Sequence, residues 1–170
     1  YFEETLNRAT SKFIPAEDVI VPYGCSDLET CERITQVLKM SKNDLRKKQV
    51  SGFYIDTNGN GYDAGQTDLQ EKKDQIDGES PGSYAVDDMA ELYEVHVDLD
   101  LEGFEDIDPR TNEPTGIKLP YIVTIDRGSD SIISIYRNYN QADALRKKNE
   151  YFVHYKFLPG LGFYGFGLIH

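Results

Sequence analysis

The sequence is short of several things. It holds no Trp, two Cys, two Met and three His in 170 residues. Two cysteines cannot build a disulfide-dense scaffold or a four-cysteine zinc site. The expectation for Cys25 and Cys31 is therefore a pair of free thiols in a reducing cytosol. No apolar run comes near the ~18 residues of a membrane-spanning helix. No basic segment followed by an apolar one, the pattern of a secretory leader, opens the sequence as given. Positive charge is scarce too, with 18 Lys+Arg against 30 Asp+Glu and a net charge of −12. Tight nucleic-acid binding through neutralised phosphates is excluded by that balance. An acidic surface of this kind favours solubility and repels nucleic acid.

What is present points to a packed domain. Aromatic residues make up 12 %, with 12 Tyr and 8 Phe. A disordered acidic tail lacks such residues. The length suits one domain with a real core, or two small lobes sharing one. The sequence starts without Met and stops at Leu168-Ile169-His170 inside an apolar, glycine-rich run, so the expectation is a piece of a longer protein.

Along the chain, residues 1–12 read as a short polar helix. Phe13 to Val21 reads as an extended segment, bounded by Pro15 and by the turn Pro22-Tyr23-Gly24. Residues 30–40 fit two periods. Ile34, Val37 and Leu38 suit a helix, while Ile34, Gln36, Leu38 and Met40 alternate as a strand with one polar miss. Ser41 followed by Asp44 predicts an N-cap, with a helix over 42–51 and Gly52 as its stop. Residues 56–67 are a polar Gly/Asn loop. A weakly held helix is expected over 67–77, where Leu69 and Ile76 alone can bury.

The second half is β-rich. Residues 92–99 alternate, with Tyr93, Val95, Val97 and Leu99 on one face and Glu94, His96 and Asp98 on the other. Residues 119–127 and 131–137 flank Gly128-Ser129-Asp130, a hairpin signal. Tyr151, Val153, Tyr155 and Phe157 alternate in the same way, so a fourth strand is expected over 151–158 with His154 and Lys156 outward. Residues 140–149 are a short polar helix or turn. The expected fold is α+β. It is mainly an antiparallel sheet (strands near 92–99, 119–127, 131–137 and 151–158) with one wet face, and its short helices are concentrated in the N-terminal half.

Two motifs suggest chemistry. Asp56-Thr57-Asn58-Gly59-Asn60-Gly61-Tyr62 matches the start of a Ca²⁺ loop, with Asp56, Asn58 and Asn60 as weak candidate ligands. The loop does not close, because Thr67 stands where a bidentate Glu belongs and Asp63 replaces the usual apolar anchor. Asn-Gly turn chemistry accounts for the same residues. Gly160-Leu161-Gly162-Phe163-Tyr164-Gly165 spells a dinucleotide fingerprint, but two bulky aromatics inside it obstruct phosphate. The strand expected before it alternates, unlike a buried parallel strand. His96, His154 and His170 lack metal-binding spacing, and the two surface readings for His96 and His154 are a solvated or a cross-strand polar role. The carboxylate runs 98–102 and 105–108 read as a solvated face. No catalytic constellation, cofactor or metal site emerges.

One stretch carries a resemblance. Phe13-Ile14-Pro15-Ala16-Glu17-Asp18-Val19-Ile20-Val21-Pro22-Tyr23-Gly24 resembles a segment of portal proteins, the head-to-tail connectors of tailed bacteriophages and prophages. Asp27-Leu28-Glu29-Thr30 and Met40-Ser41-Lys42-Asn43-Asp44-Leu45-Arg46 continue it, as do Gln49 to Tyr54. It returns in Tyr121 to Arg127 and Ile132 to Asn138. It ends in Phe152 to Gly160 and Phe163 to Gly167, with residues 56–90 matching poorly. The resemblance is to the large class found in short-tailed phages.

It implies a structural protein without catalysis, forming a symmetric ring of about twelve subunits at one capsid vertex. DNA would be packaged and ejected through the ring without being bound specifically. Terminase, coat or scaffold and tail adaptor proteins would be the partners, with no membrane involved. The location would be the virion, after assembly in the bacterial cytoplasm. The chain would belong to the outer wing. It would divide into a mixed lobe (1–55), a variable polar loop and helix (56–90), the sheet (91–158) and a Gly-rich crossing to a next helix (159–170). A calcium-dependent binding module built on Asp56, Asn58 and Asn60 is the alternative function.

Overall fold

The computed structural model describes residues 2–3, 8–57, 72, 75–76, 89–156, 158, 160 and 162–165. Its centre is a five-stranded sheet in the order β3-β4-β5-β6-β7. These strands are β3 (Val19–Ile20), β4 (Arg33–Ser41), β5 (Met89–Leu99), β6 (Leu119–Asp126) and β7 (Ser131–Arg137). All four pairings are antiparallel. A separate two-stranded ladder joins β1 (Phe2–Glu3) to β2 (Arg8–Ala9). The fold is thus mainly antiparallel sheet, as the alternation in the second half predicts.

Residues 30–40 resolve as a strand rather than a helix. β4 pairs with β5 from Arg33↔Val97 to Ser41↔Met89. Gln36, the polar miss in the alternation, sits opposite Glu94 and costs the pairing nothing. At Ser41 the chain turns directly into α1 (Lys42–Val50). The Ser41 hydroxyl accepts from the Asp44 amide at 3.1 Å, the expected cap. Asp44 sits in the first turn and binds Lys47 at 3.0 Å. That bond first, and the Ser41 contact second, lower the Asp44 pKa. Gly52 ends the helix with φ of +77°, a conformation that glycine adopts without strain.

Several expectations are corrected. Short helices are not concentrated in the N-terminal half: α1 is the one α-helix described end to end, beside a single 3₁₀ turn at Ala16–Asp18. In residues 1–12, the described pairs 2–3 and 8–9 form a ladder instead of a helix. The extended run 13–21 is interrupted by the 3₁₀ turn, which follows Pro15. Lys72, Gln75 and Ile76 are helical, and the rest of the helix expected over 67–77 lies outside the described residues. Residues 151–156 join no strand. Their alternation is real, with Tyr151, Val153 and Tyr155 exposed and Phe152, His154 and Lys156 half-buried. Instead of extending the sheet, Phe152 packs with Cys25, Cys31 and Ile34, Lys156 reaches the Ser26 carbonyl and His154 stacks on Phe163.

The hairpin stands as expected. β6 and β7 flank a turn over 127–130, and Asp130 takes a positive φ of 48°. Asp126 stabilises it by accepting from the Gly128 amide at 3.1 Å and the Ser129 hydroxyl at 2.8 Å. A bulge falls between Thr124 and Ile125, since Thr124 pairs with Ser134 and Ile125 with Ile132. The skipped residue, Ile133, is buried and its carbonyl accepts from the Ile55 amide at 2.8 Å. Tyr136 also donates to the Phe53 carbonyl at 2.7 Å. The segment after α1 therefore covers the exposed edge at β7.

Neither face of the sheet is simply wet. On one face Leu45 of α1 and Tyr54 pack on Ala90, Leu92 and Ile133, with Leu38 and Met40 beside them. On the other, Leu119, Tyr121 and Val123 cluster with Val95, Leu99, Leu101 and Tyr139. The second face is the one that the Tyr93–Leu99 alternation marks as apolar. It is roofed by the excursion between β5 and β6, whose Phe104 carbonyl accepts from Tyr121 at 3.1 Å. Asp106, in the run expected to be solvated, binds Arg146 at 3.2 Å and accepts from Thr115. Glu91 takes Arg127 in a two-oxygen grip, both contacts at 2.8 Å.

Leu92 is fully buried at the middle of the first cluster. Leu92→Ala is expected to cost about 3 kcal/mol, and to lower the melting temperature by roughly 6–12 °C in a thermal melt. Burial, the nearby Glu94 charge and Tyr136 push the Tyr54 hydroxyl up to about 12. The neutral phenol is the form the fold accepts. Its stabilisation is intact below pH ~10, where an unfolded tyrosine is still protonated, and drains away as pH rises toward 12. Burial raises Tyr93 and Tyr121 as well. Tyr54→Phe is therefore expected to shallow the alkaline fall in urea midpoint between pH 9 and 11, not abolish it. A phenol ionising at about pH 12 in a 295 nm titration should vanish with the hydroxyl.

Candidate functional site

A concavity among the described residues lies where β4 begins and β5 ends. It has a volume of about 330 Å³ and is walled by residues 28, 29, 31, 32 and 34, by 96–98 and by 148–154, with Pro120 and Asn138. Three local features shape it.

The first is a disulfide. Cys25 and Cys31 are bonded, with Cα atoms 5.3 Å apart, which corrects the expectation of two free thiols. The turn over 22–25 starts the loop, with the Cys25 amide donating to the Pro22 carbonyl at 3.0 Å. Asp27 closes it by accepting from the Thr30 amide at 2.8 Å and the Thr30 hydroxyl at 2.9 Å. These bonds, that of the backbone amide first, lower the Asp27 pKa. Both cysteines are buried against Ile34 and Phe163, with Val19, Val21, Leu28 and Phe152 around them.

The second is the chain after residue 146, which docks on this loop through side chains. Lys148 donates to the Leu28 carbonyl at 3.3 Å. Lys156 donates to the Ser26 carbonyl at 3.1 Å and to Gly162 at 3.0 Å. Tyr164 donates to the Val19 carbonyl. Carbonyls of the 19–28 segment thus find donors without a ladder. That is why residues 151–156 of the expected strand join none.

The third is His96. It is only 9 % exposed, which corrects its expected place on a wet face. Its Nε2 donates to Glu94 Oε1 at 3.1 Å. Phe152 and Tyr151 meet the ring edge-on, with centroids at 4.9 and 5.6 Å. His154, also expected outward, is half-buried and stacks on Phe163 at 4.3 Å. Burial first, and the Lys156 ammonium second, hold its pKa below the usual imidazole value.

The sequence motifs fall elsewhere. Asp56 gives its carboxylate to Arg46 at 2.5 Å, while Asn58 and Asn60 lie outside the described residues. Among the described residues no group of three or more His, Cys, Asp or Glu could hold a metal. In the Gly160–Gly165 motif, Phe163 is core and Tyr164 an anchor. A Cβ at Gly165 would lie 2.8 Å from the Leu158 carbonyl, so that glycine closes on its own chain. No helix among the described residues is long and apolar enough to cross a membrane. Periodicity missed Asn138, which is 3 % exposed on the cavity wall with an unpartnered Oδ1. Its only sequence signal is its place just past β7.

No family model, curated protein or solved structure matches the chain.

Closing a loop with a sequence separation of 6 contributes about 2 kcal/mol in the chain-entropy account. Reduction, or the pair Cys25→Ser with Cys31→Ser, is expected to lower the unfolding free energy by about that amount. A thiol assay on the denatured, unreduced protein should find no free thiol. Two per chain should appear after reduction, since the sequence holds two cysteines.

Proposed function

We propose that the chain is a structural element of a bacteriophage portal, part of the wing of the ring through which DNA is packaged and ejected. In this reading it has no catalytic role of its own. The observation that carries the reading is where the resembling segments lie. Val19–Ile20, Met40–Ser41, Tyr121–Asp126 and Ile132–Arg137 are parts of β3, β4, β6 and β7 in one sheet. The poorly matching stretch 56–90 instead connects α1 to the sheet and ends in the first residues of β5.

The surface supports an assembly role. Large apolar side chains are fully offered to solvent at several places, among them Phe13 at 86 %, Val153 at 76 % and Tyr155 at 89 %. Apolar surface of that kind suits burial against neighbouring protein. The paired carboxylates are committed to structure: Glu91 to Arg127, Asp106 to Arg146 and Asp126 to its own turn. They hold the sheet together and present no acid/base pair to a substrate.

Ring contacts in such an assembly would lie mainly in other parts of the subunit. The isolated chain is then expected to be a monomer or weak dimer in light scattering. The complete reading frame is expected to give closed rings of about twelve subunits with a central channel in electron micrographs. A complete product that stays monomeric, with no long helix and channel segment encoded after this region, overturns the reading.

A further inference from the structure

We infer that residues 150–156 are a docking edge for a second copy of this chain, which pairs with them as an antiparallel strand through its own residues 150–156. The inference does not rest on the portal reading. This contact is two-fold and belongs to the separate chain, whereas the contacts of a closed ring run head to tail.

The segment is extended but has no ladder. Residues 150–156 make no backbone hydrogen bond to another backbone among the described residues, and they belong to no strand. Their side chains nevertheless alternate as a strand's do. Phe152, His154 and Lys156 turn inward, onto the disulfide cluster, Phe163 and the Ser26 carbonyl. Tyr151, Val153 and Tyr155 are left outside, 60, 76 and 89 % exposed. The inward side chains hold the segment extended before any partner arrives, so pairing orders little further chain. Tyr and Val are also strand formers. Proteins usually guard such an edge with a proline, a bulge or an outward charge. Residues 150–156 hold no proline, and the three outward side chains carry no charge.

The residue order identifies the partner. Opposite residues of a pair share a face, so outward residues must meet outward ones, and a slip of one residue is excluded. When Val153 faces Val153 of the second copy, Tyr151 falls opposite Tyr155, Phe152 opposite His154 and Glu150 opposite Lys156. Symmetry makes each of the last three pairs twice. Aromatic pairs and opposite-charge pairs are the stabilising kinds across strands. Glu150 is exposed and has no partner among the described residues. Lys156 donates to the Ser26 and Gly162 carbonyls, and an ammonium has a third donor left for a carboxylate. The neighbouring registers are worse. Centring on Phe152 sets Lys148 against Lys156, and centring on His154 sets Lys156 against Phe152 and Glu150 against Leu158. The segment is thus complementary to itself in one antiparallel register.

A contact of one short strand per copy lies at the low end of interface sizes. A dimer dissociation constant of order 0.1–1 mM is therefore expected in sedimentation equilibrium of the whole chain. Val153→Lys sets two ammonium groups face to face at the centre and should weaken the dimer roughly tenfold. Glu150→Lys sets like charges against each other at both ends and should weaken it by about the same factor. Leu145→Lys removes an apolar side chain that is 72 % exposed outside the segment, and should leave the dimer unchanged. All three positions are exposed, so the variants should keep the parent's melting temperature in dilute solution. In a mixture of isotope-labelled and unlabelled chains, filtered NOEs should join the Tyr151 ring to the Tyr155 ring of the second copy. The proposal is overturned by a chain still monomeric at ~2 mM, by a dimer that Val153→Lys leaves intact or Leu145→Lys weakens equally, or by NOEs in another register.

Discussion

Strand β5 is hydrogen-bonded along both of its edges, to β4 from Met89 to Val97 and to β6 from Leu92 to Leu99. A doubly paired strand has no freedom of register, because a slip of one residue would exchange its two faces. That constraint places the rest. Ala90 and Leu92 must meet α1, so the helix starts at Ser41 where β4 ends. Val95 and Leu99 must meet β6 and the excursion before it, so Phe104 and Leu101 fold over that face. The polar residues of β5 follow the same rule. Glu94 and His96 share a face and bind each other, while Glu91 on the opposite face reaches Arg127.

The two edges of the sheet are closed by different means. At β7 the edge is blunted by a bulge and by the segment after α1, which donates from Ile55 to the Ile133 carbonyl. At β3 only two residues pair, and the carbonyls of Val19, Ser26 and Leu28 take their donors from elsewhere. Lysines and a tyrosine from the 148–164 segment fill them. A side-chain donor on a flexible stem reaches a carbonyl without bringing its backbone alongside. The chain therefore docks at a stand-off from the sheet. The cavity is the space that this stand-off leaves.

Much of the sheet was legible because its signals are local. Ser41 with Asp44, Gly52, the Gly128-Ser129-Asp130 turn and the alternation over 92–99 each act within a few residues. The errors share one cause. Alternation reports an extended chain with one side buried, and it does not say against what. Residues 151–156 alternate as a strand does and bury Phe152 and His154 on a loop. His96 sits on the more polar face of β5 and is buried, because Tyr151 and Phe152 arrive from more than fifty residues away. In β4 the reverse held: Gln36 spoiled the pattern of a true strand, since its partner Glu94 lies far off in sequence. The cysteines misled for a similar reason. Their number excluded a scaffold, but one pair suffices to close a loop whose turn brings the Cα atoms within 5.3 Å. Asn138 was invisible throughout, as an unmet acceptor is a property of its surroundings.

The acidic surplus takes a different meaning in this setting. At first it serves only to exclude phosphate binding, a statement about the whole surface. Several of its members are then removed from that surface by partners, as Asp106, Glu91 and Asp126 are. The carboxylates around the cavity are different: Glu29 sits in a loop held shut by a disulfide, Glu32 follows that loop directly, and Asp98 is next to last in a doubly paired strand. Glu29, Glu32 and Asp98 are all exposed, so solvent and salt screen the field between them. Lys148 offsets one of them and is held away by the Leu28 carbonyl. The carboxylates that line the cavity therefore outnumber its one lysine.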